Sequence, residues 1–107
     1  MFLINFEKNI NEMMDYIKSK AKEQVVNSVA IIEDQNVNIL KNDEFIMNLI
    51  DISDDTGSLI AMIITKDDKD LQKLLNNLKV NDVCLIRCRK SRNPEVVSVF
   101  AIKKINK

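Results

Sequence analysis

Asn48-Leu-Ile-Asp-Ile-Ser-Asp-Asp-Thr-Gly-Ser-Leu-Ile-Ala-Met-Ile-Ile64 places the single glycine of the chain, Gly57, between two apolar runs. The runs, 44–53 and 58–64, have strand character, and Asp54-Asp55-Thr56-Gly57-Ser58 has the composition of a tight turn. A chain with one glycine is expected to place it where the backbone needs a positive φ. The stretch therefore predicts a β-hairpin. Alternation assigns Ile50, Ile52, Leu59, Ala61 and Ile63 to its inner face, and Met47, Leu49, Ile60, Met62 and Ile64 to its outer face.

Upstream, Phe6, Ile10, Met13, Met14 and Ile17 recur at helical spacing, with Ala21 extending the stripe. This predicts an N-terminal helix with Asn5 as its cap, ending near Lys22, with Glu12, Asp15, Tyr16 and Lys18 on its outer face. Residues 25–32 read as a first strand, 33–36 as a polar turn, 37–40 as a bent continuation, and 41–43 as a second turn. Downstream, Thr65 reads as a helix cap with Asp68 three residues on. Leu71, Leu74, Leu75 and Leu78 then form a one-sided stripe. Residues 83–90 alternate as a fourth strand, with Cys84, Ile86 and Cys88 on one face and Leu85, Arg87 and Arg89 on the other. Ser91-Arg-Asn-Pro94 turns into a fifth strand over 96–102 or slightly beyond.

Five strands with a helix between the third and fourth is the order of the OB-fold, a small Greek-key barrel. The expected fold class is thus mainly β with helices: an N-terminal helix, residues 1–24, packed on a five-stranded OB-fold barrel, residues 25–107. The leucine-rich helix plugs the open end of the barrel.

Composition narrows the function. The chain has 107 residues, enough for one domain with a single modest core. It has no histidine, which excludes Ser-His and Cys-His nucleophile pairs and His-ligated metals. One glycine leaves no phosphate-cradling loop. Cys84 and Cys88, four apart on a strand, lie roughly 13 Å apart at 3.3 Å per residue, beyond disulfide reach. Their spacing fits no zinc pattern, so they read as reduced core residues. Asp51, Asp54 and Asp55 read as turn formers rather than a cation site. No apolar run spans a bilayer, and Met1-Phe-Leu-Ile4 is too short for a signal-peptide core. The expectation is a cytoplasmic, non-catalytic protein with no cofactor, no metal and no membrane.

Residues 25–104 resemble the OB domain of the anticodon-binding type found near the C-terminal end of bacterial DNA polymerase III alpha subunits. The resemblance rests on the 48–64 stretch, the leucine-rich helix 71–78, and Val80-Asn-Asp-Val-Cys-Leu-Ile86. It implies a nucleic-acid-binding barrel in replication or repair, taking single-stranded nucleic acid, DNA before RNA. Two departures stand out. Leu49 occupies a position commonly Phe in such domains, and Ile64-Thr65 replaces an aromatic followed by proline. An aliphatic outer face lacks the aromatic platforms on which single-strand binders stack bases. It calls for cover, by the N-terminal helix or by another protein.

Charge is uneven. Residues 1–82 hold nine Lys/Arg and fifteen Asp/Glu; residues 83–107 hold seven Lys/Arg and one Glu. The basic set Arg87, Arg89, Lys90 and Arg92 clusters around the turn between strands 4 and 5. Lys103, Lys104 and Lys107 extend it if strand 5 lies beside strand 1. Lys41 and Asn36 lie in loops that would face a bound strand. Phe45 and Phe100 read as core residues. Two functions remain open: single-stranded nucleic acid held by Lys41, Arg87, Arg89, Lys90, Arg92, Lys103 and Lys104, or a protein partner or second copy held by Met47, Leu49, Ile60, Met62, Ile64 and the N-terminal helix. The same basic residues would also serve to keep an exposed strand edge from pairing with another chain.

Overall fold

The Gly57 hairpin is the longest uninterrupted pairing in the protein. β2 (Ile46–Asp54) and β3 (Gly57–Thr65) run antiparallel without a slip, from Ile46 opposite Thr65 to Asp54 opposite Gly57. The computed structural model describes residues 8–20, 25–41, 45–66 and 68–105, without the side chains of 35–41. The order is α1 (Ile10–Lys18), β1 (Val26–Lys41), β2, β3, α2 (Lys69–Asn77), β4 (Val83–Lys90) and β5 (Val96–Lys104). The strands close into a barrel in the order β1-β2-β3-β5-β4, with β4 returning to β1. β3 and β5 are parallel and the other pairs antiparallel. This is the five-strand, two-helix, OB-like barrel that the element order predicts.

The turn is held differently from its composition. Gly57 has no positive φ, and Asn81, with φ 76°, is the one described non-glycine residue that does. The Asp54 carboxylate closes the turn by accepting from the backbone N–H of Thr56 at 2.7 Å and of Gly57 at 3.2 Å, and from the Thr56 hydroxyl. A Cβ at Gly57 would meet Met14 Sδ at 3.5 Å and Ile10 Cγ2 at 3.8 Å, ordinary packing distances. Gly57→Ala is therefore expected to change stability by less than about 1 kcal/mol, because the lost unfolded-state entropy offsets the small repacking. A urea titration checks this, and a loss above about 2 kcal/mol would mean the position does need glycine.

Other local readings shift. β1 runs on through 33–36, where a polar turn was expected. It absorbs those residues as register irregularities between Ile32 and Asp34 and between Asp34 and Asn38. A bulge lets a long strand bend around the barrel without leaving it. Asn36 and Lys41 consequently lie in strand backbone rather than loops, and their side chains are outside the described residues. Asp68, not Thr65, caps α2, accepting from Leu71 N at 2.9 Å; Thr65 ends β3. α1 is capped by Asn9 rather than Asn5, with a reciprocal bond from Asn9 N to Glu12, and it ends at Lys18 rather than near Lys22. Asn5, Phe6, Ala21 and Lys22 lie outside the described residues.

The inner hairpin set is buried as alternation predicts: Ile50, Ile52, Leu59, Ala61 and Ile63. They join Ile86, Cys84, Cys88, Val97 and Val99 in one core. α1 contributes Ile10, Met13, Tyr16 and Ile17; α2 contributes Leu75 and Leu78. Tyr16 is thus core rather than outer face. The helices close opposite ends of β3: α1 lies against Gly57 and α2 bonds to Thr65. Cys84 and Cys88 are free thiols. Burial pushes the Cys84 thiol up to about 11, with Asp82 adding to it, and the Cys88 thiol up to about 12. Neither is a nucleophile at neutral pH.

Candidate functional site

The barrel's outer surface carries two adjoining features that share the row Leu49–Met62–Ser98–Arg89, neighbours across β2, β3, β5 and β4. On one side of the row, Met47, Leu49, Met62, Val96 and Ser98 line a groove of about 750 Å³, walled by Arg92 and Asn93 of the β4–β5 loop. On the other side, Arg87, Arg89 and Lys103 project from β4 and β5 into solvent.

The groove is aliphatic. Ile64 is exposed at one end of β3, and Ile60 at the other, in a separate depression lined by Glu33, Asp51, Glu95 and Lys18. The Glu33 carboxylate accepts a short bond from the Ser53 hydroxyl. Of the two covers expected, helix or partner protein, α1 does not lie over the groove; it closes the end of the barrel, with Met14 and Lys18 reaching only the Ile60 depression. Among the described residues the groove over β2 and β3 is uncovered and lined by no aromatic side chain, with acids in the depression beside it.

The basic set divides. Lys90 lines the groove, but its ammonium turns to α1, donating to Ser19 O at 2.9 Å and lying 4.9 Å from the Tyr16 ring centroid. It thereby satisfies a carbonyl at the negative end of the helix. Lys104 pairs with Asp82 at 3.4 Å at the far end of β4. Hydrogen bonding from the Lys79 backbone N–H, with help from Lys104 and against a small desolvation, holds the Asp82 carboxyl below the usual carboxylate range. Neither lysine joins Arg87, Arg89 and Lys103 on the outer face of β4 and β5. β5 lies between β3 and β4, not beside β1, so Lys103 reaches the patch through its neighbour Leu85. Lys107 is outside the described residues.

What remains is Arg87, Arg89 and Lys103 on one face, with Asn27, Val29, Leu85, Phe100 and Ala101 around them. Arg87 Nε donates to Asn27 Oδ1 at 3.1 Å. The Arg89 guanidinium carbon lies 4.5 Å from the centroid of the Phe100 ring. Phe100, expected in the core, is 40% exposed. Its parity is that of outward Ser98, and a bulge follows: Arg87 faces Ala101 while Cys88 faces Val99, so Phe100 has no opposite residue. The extra residue puts Phe100 and Ala101 outward in succession, between inward Val99 and Ile102. Alternation counted from Val97 places Phe100 outside, but only the bulge explains why its neighbour Ala101 is outside too.

The fold also removes one explanation of these cations. Charges on an edge strand prevent edge-to-edge pairing. β4 is paired on both sides, to β1 and to β5, so it has no edge to protect.

Among the described residues no group of His, Cys, Asp or Glu is arranged to hold a metal ion. No helix among them is long and apolar enough to cross a membrane. No protein-family model matches the chain, and no curated protein does. The barrel and its surfaces are therefore the basis for a functional reading.

Proposed function

We propose that this chain is a non-catalytic module that binds single-stranded nucleic acid, DNA in the first instance, through the basic outer face of β4 and β5. The observation that carries the reading is the set Arg87, Arg89 and Lys103, three cations on one face whose cross-strand neighbours Asn27, Val29, Leu85, Phe100 and Ala101 are uncharged; the acids Glu12, Asp54 and Asp55 lie in the depression beyond Asn27, Val29 and Leu85. Such a face attracts a polyanion and holds it by counterion release. Arg92 lies beyond Ser98 and extends the positive track towards the groove. The resemblance to polymerase OB domains favours a setting in replication or repair, hence in the cytoplasm.

Fluorescence anisotropy of a labelled oligo-dT, titrated at several salt concentrations, tests this. With three phosphates neutralised, the slope of log affinity against log salt is expected near −2, from about −0.7 per single-strand contact. Arg87→Glu combined with Arg89→Glu is expected to weaken binding at least tenfold. A folded protein that binds nothing at low salt would overturn the reading.

The aliphatic groove favours a second reading, a protein-interaction module in which Met47, Leu49 and Met62 receive an apolar segment or a second copy. Light scattering after size-exclusion chromatography separates the two. A dimer that ignores oligo-dT supports the second reading; a monomer that binds it supports the first.

A further inference from the structure

We infer that Phe100 and Arg89 form a base-stacking platform, a site for one unpaired nucleobase on the outer face of β5. This rests on the nucleic-acid reading above and specifies how that face would recognise a strand. Strand alternation presents the ring, and the β5 bulge leaves it without an opposite residue. Alternation from Val97 already turns Phe100 outward; the extra residue leaves it unpaired between the Cys88–Val99 and Arg87–Ala101 pairs and turns Ala101 outward beside it. Phe100 is exposed and lies under a planar cation at 4.5 Å.

An aromatic ring and a guanidinium plane are the two protein surfaces on which nucleobases stack. Here they already face each other. A base stacks on Phe100 while the Arg89 guanidinium either closes over its other side or moves to a neighbouring phosphate. The exchange is inexpensive, because an exposed cation–π contact contributes only about 0.5–1 kcal/mol. Arg87, beside Ala101, and Lys103, beside Leu85, flank the ring for backbone contacts. A duplex buries its base faces, so the platform selects single strands. The site lies across the Ser98 row from the Met47–Leu49–Met62 groove, whose floor has no ring to offer.

The test uses the intact chain, which has no tryptophan. Phe100→Trp places a single reporter in the platform. Its fluorescence is expected to fall on adding oligo-dT, saturating at the concentration where anisotropy saturates. Phe100→Leu, which keeps apolar bulk, is expected to bind about tenfold more weakly with an unchanged salt slope. Arg89→Lys keeps the charge but loses the plane, and is expected to weaken binding without altering the slope. Thermal melts establish that each variant is folded; should Phe100→Leu unfold, the tryptophan reporter and Arg89→Lys decide. If the parent binds oligo-dT while the tryptophan signal stays flat and Phe100→Leu or Arg89→Lys binds equally well, the platform is wrong and the nucleic-acid reading survives. If the parent binds none at low salt, both fall.

Discussion

Asn48→Ala is expected to cost about 3 kcal/mol of stability, the largest effect of any single substitution considered for this barrel. Asn48 is fully buried on β2. Its amide nitrogen donates to Ile63 O at 3.0 Å and to Gln72 Oε1 at 3.3 Å, and its oxygen accepts from Gln72 Nε2 at 3.0 Å. The Thr65 hydroxyl donates to the same Gln72 oxygen at 2.7 Å, and Gln72 Nε2 also reaches Asn76 Oδ1 at 3.0 Å. The network joins α2 to the β2–β3 hairpin through side chains, in addition to the apolar seat of Leu75 and Leu78. Truncation leaves the Gln72 amide short of partners, at about 1–3 kcal/mol for such a group, and opens a void beside it. A urea titration should show a lower midpoint with an unchanged slope, and the melting temperature should fall by roughly 10–20 °C. Gln72→Ala should cost less, because Gln72 is only partly buried. The double substitution should cost less than the sum of the two singles by roughly 1 kcal/mol or more, since the partners share one network. A loss below about 1 kcal/mol for Asn48→Ala would mean that the apolar contacts alone seat α2.

Asn48 also marks how far the sequence can be read. Alternation gives it the inward parity of Ile50 and Ile52, so a buried polar side chain could be expected there. Its partner is a glutamine 24 residues away on a helix, and nothing in spacing or composition names that residue. The general pattern holds elsewhere. The succession of strands and helices along the chain, the inner hairpin face and the inward cysteines follow from short-range periodicity, which the barrel preserves. What periodicity cannot supply is a register slip. The run through 33–36 has turn composition and is strand, because pairing with β2 before and after it, with Asp34 opposite Asp51, carries the backbone through. Phe100 and Ala101 face out together because one bulge adds a residue. The basic stretch 87–92 is visible in the sequence, but its division is not. Lys90 goes to the end of α1, while Arg87 and Arg89 stay outside, and that depends on where α1 ends relative to β4.

The acids of the turn illustrate the same limit, and they carry the second large prediction. Asp54 was legible as a turn former. Its second oxygen, however, accepts from Ile10 N at 2.8 Å, and Thr56 Oγ1 accepts from Asn11 N at 3.1 Å. With Asn9 taking the N–H of Glu12, the first three N–H groups of α1 are all satisfied, two of them by a hairpin 44–45 residues away in sequence. The carboxylate also sits at the positive end of the helix. Asp54→Ala is therefore expected to cost about 2 kcal/mol at neutral pH, as the loss of a charged cap and of the turn's own acceptor. Asp54→Asn keeps an acceptor and should cost less. The sign of the pH dependence follows from the carboxyl itself. Partial desolvation raises its pKa, but the bonds from the Thr56 hydroxyl and from the N–H groups of Ile10, Thr56 and Gly57 outweigh it and hold the pKa below the ordinary 3.8. A depressed carboxyl contributes fully above its unfolded value and loses that contribution as pH falls through the folded one. The gap between parent and Asp54→Ala should thus be constant from about pH 5 to 7 and narrow below about pH 4. A gap that stays constant down to pH 2 would show that the carboxylate charge has no part in seating α1. Because Ile10, Met13, Tyr16 and Ile17 belong to the same core as the strands, the loss should appear as one cooperative transition rather than as separate melting of the helix.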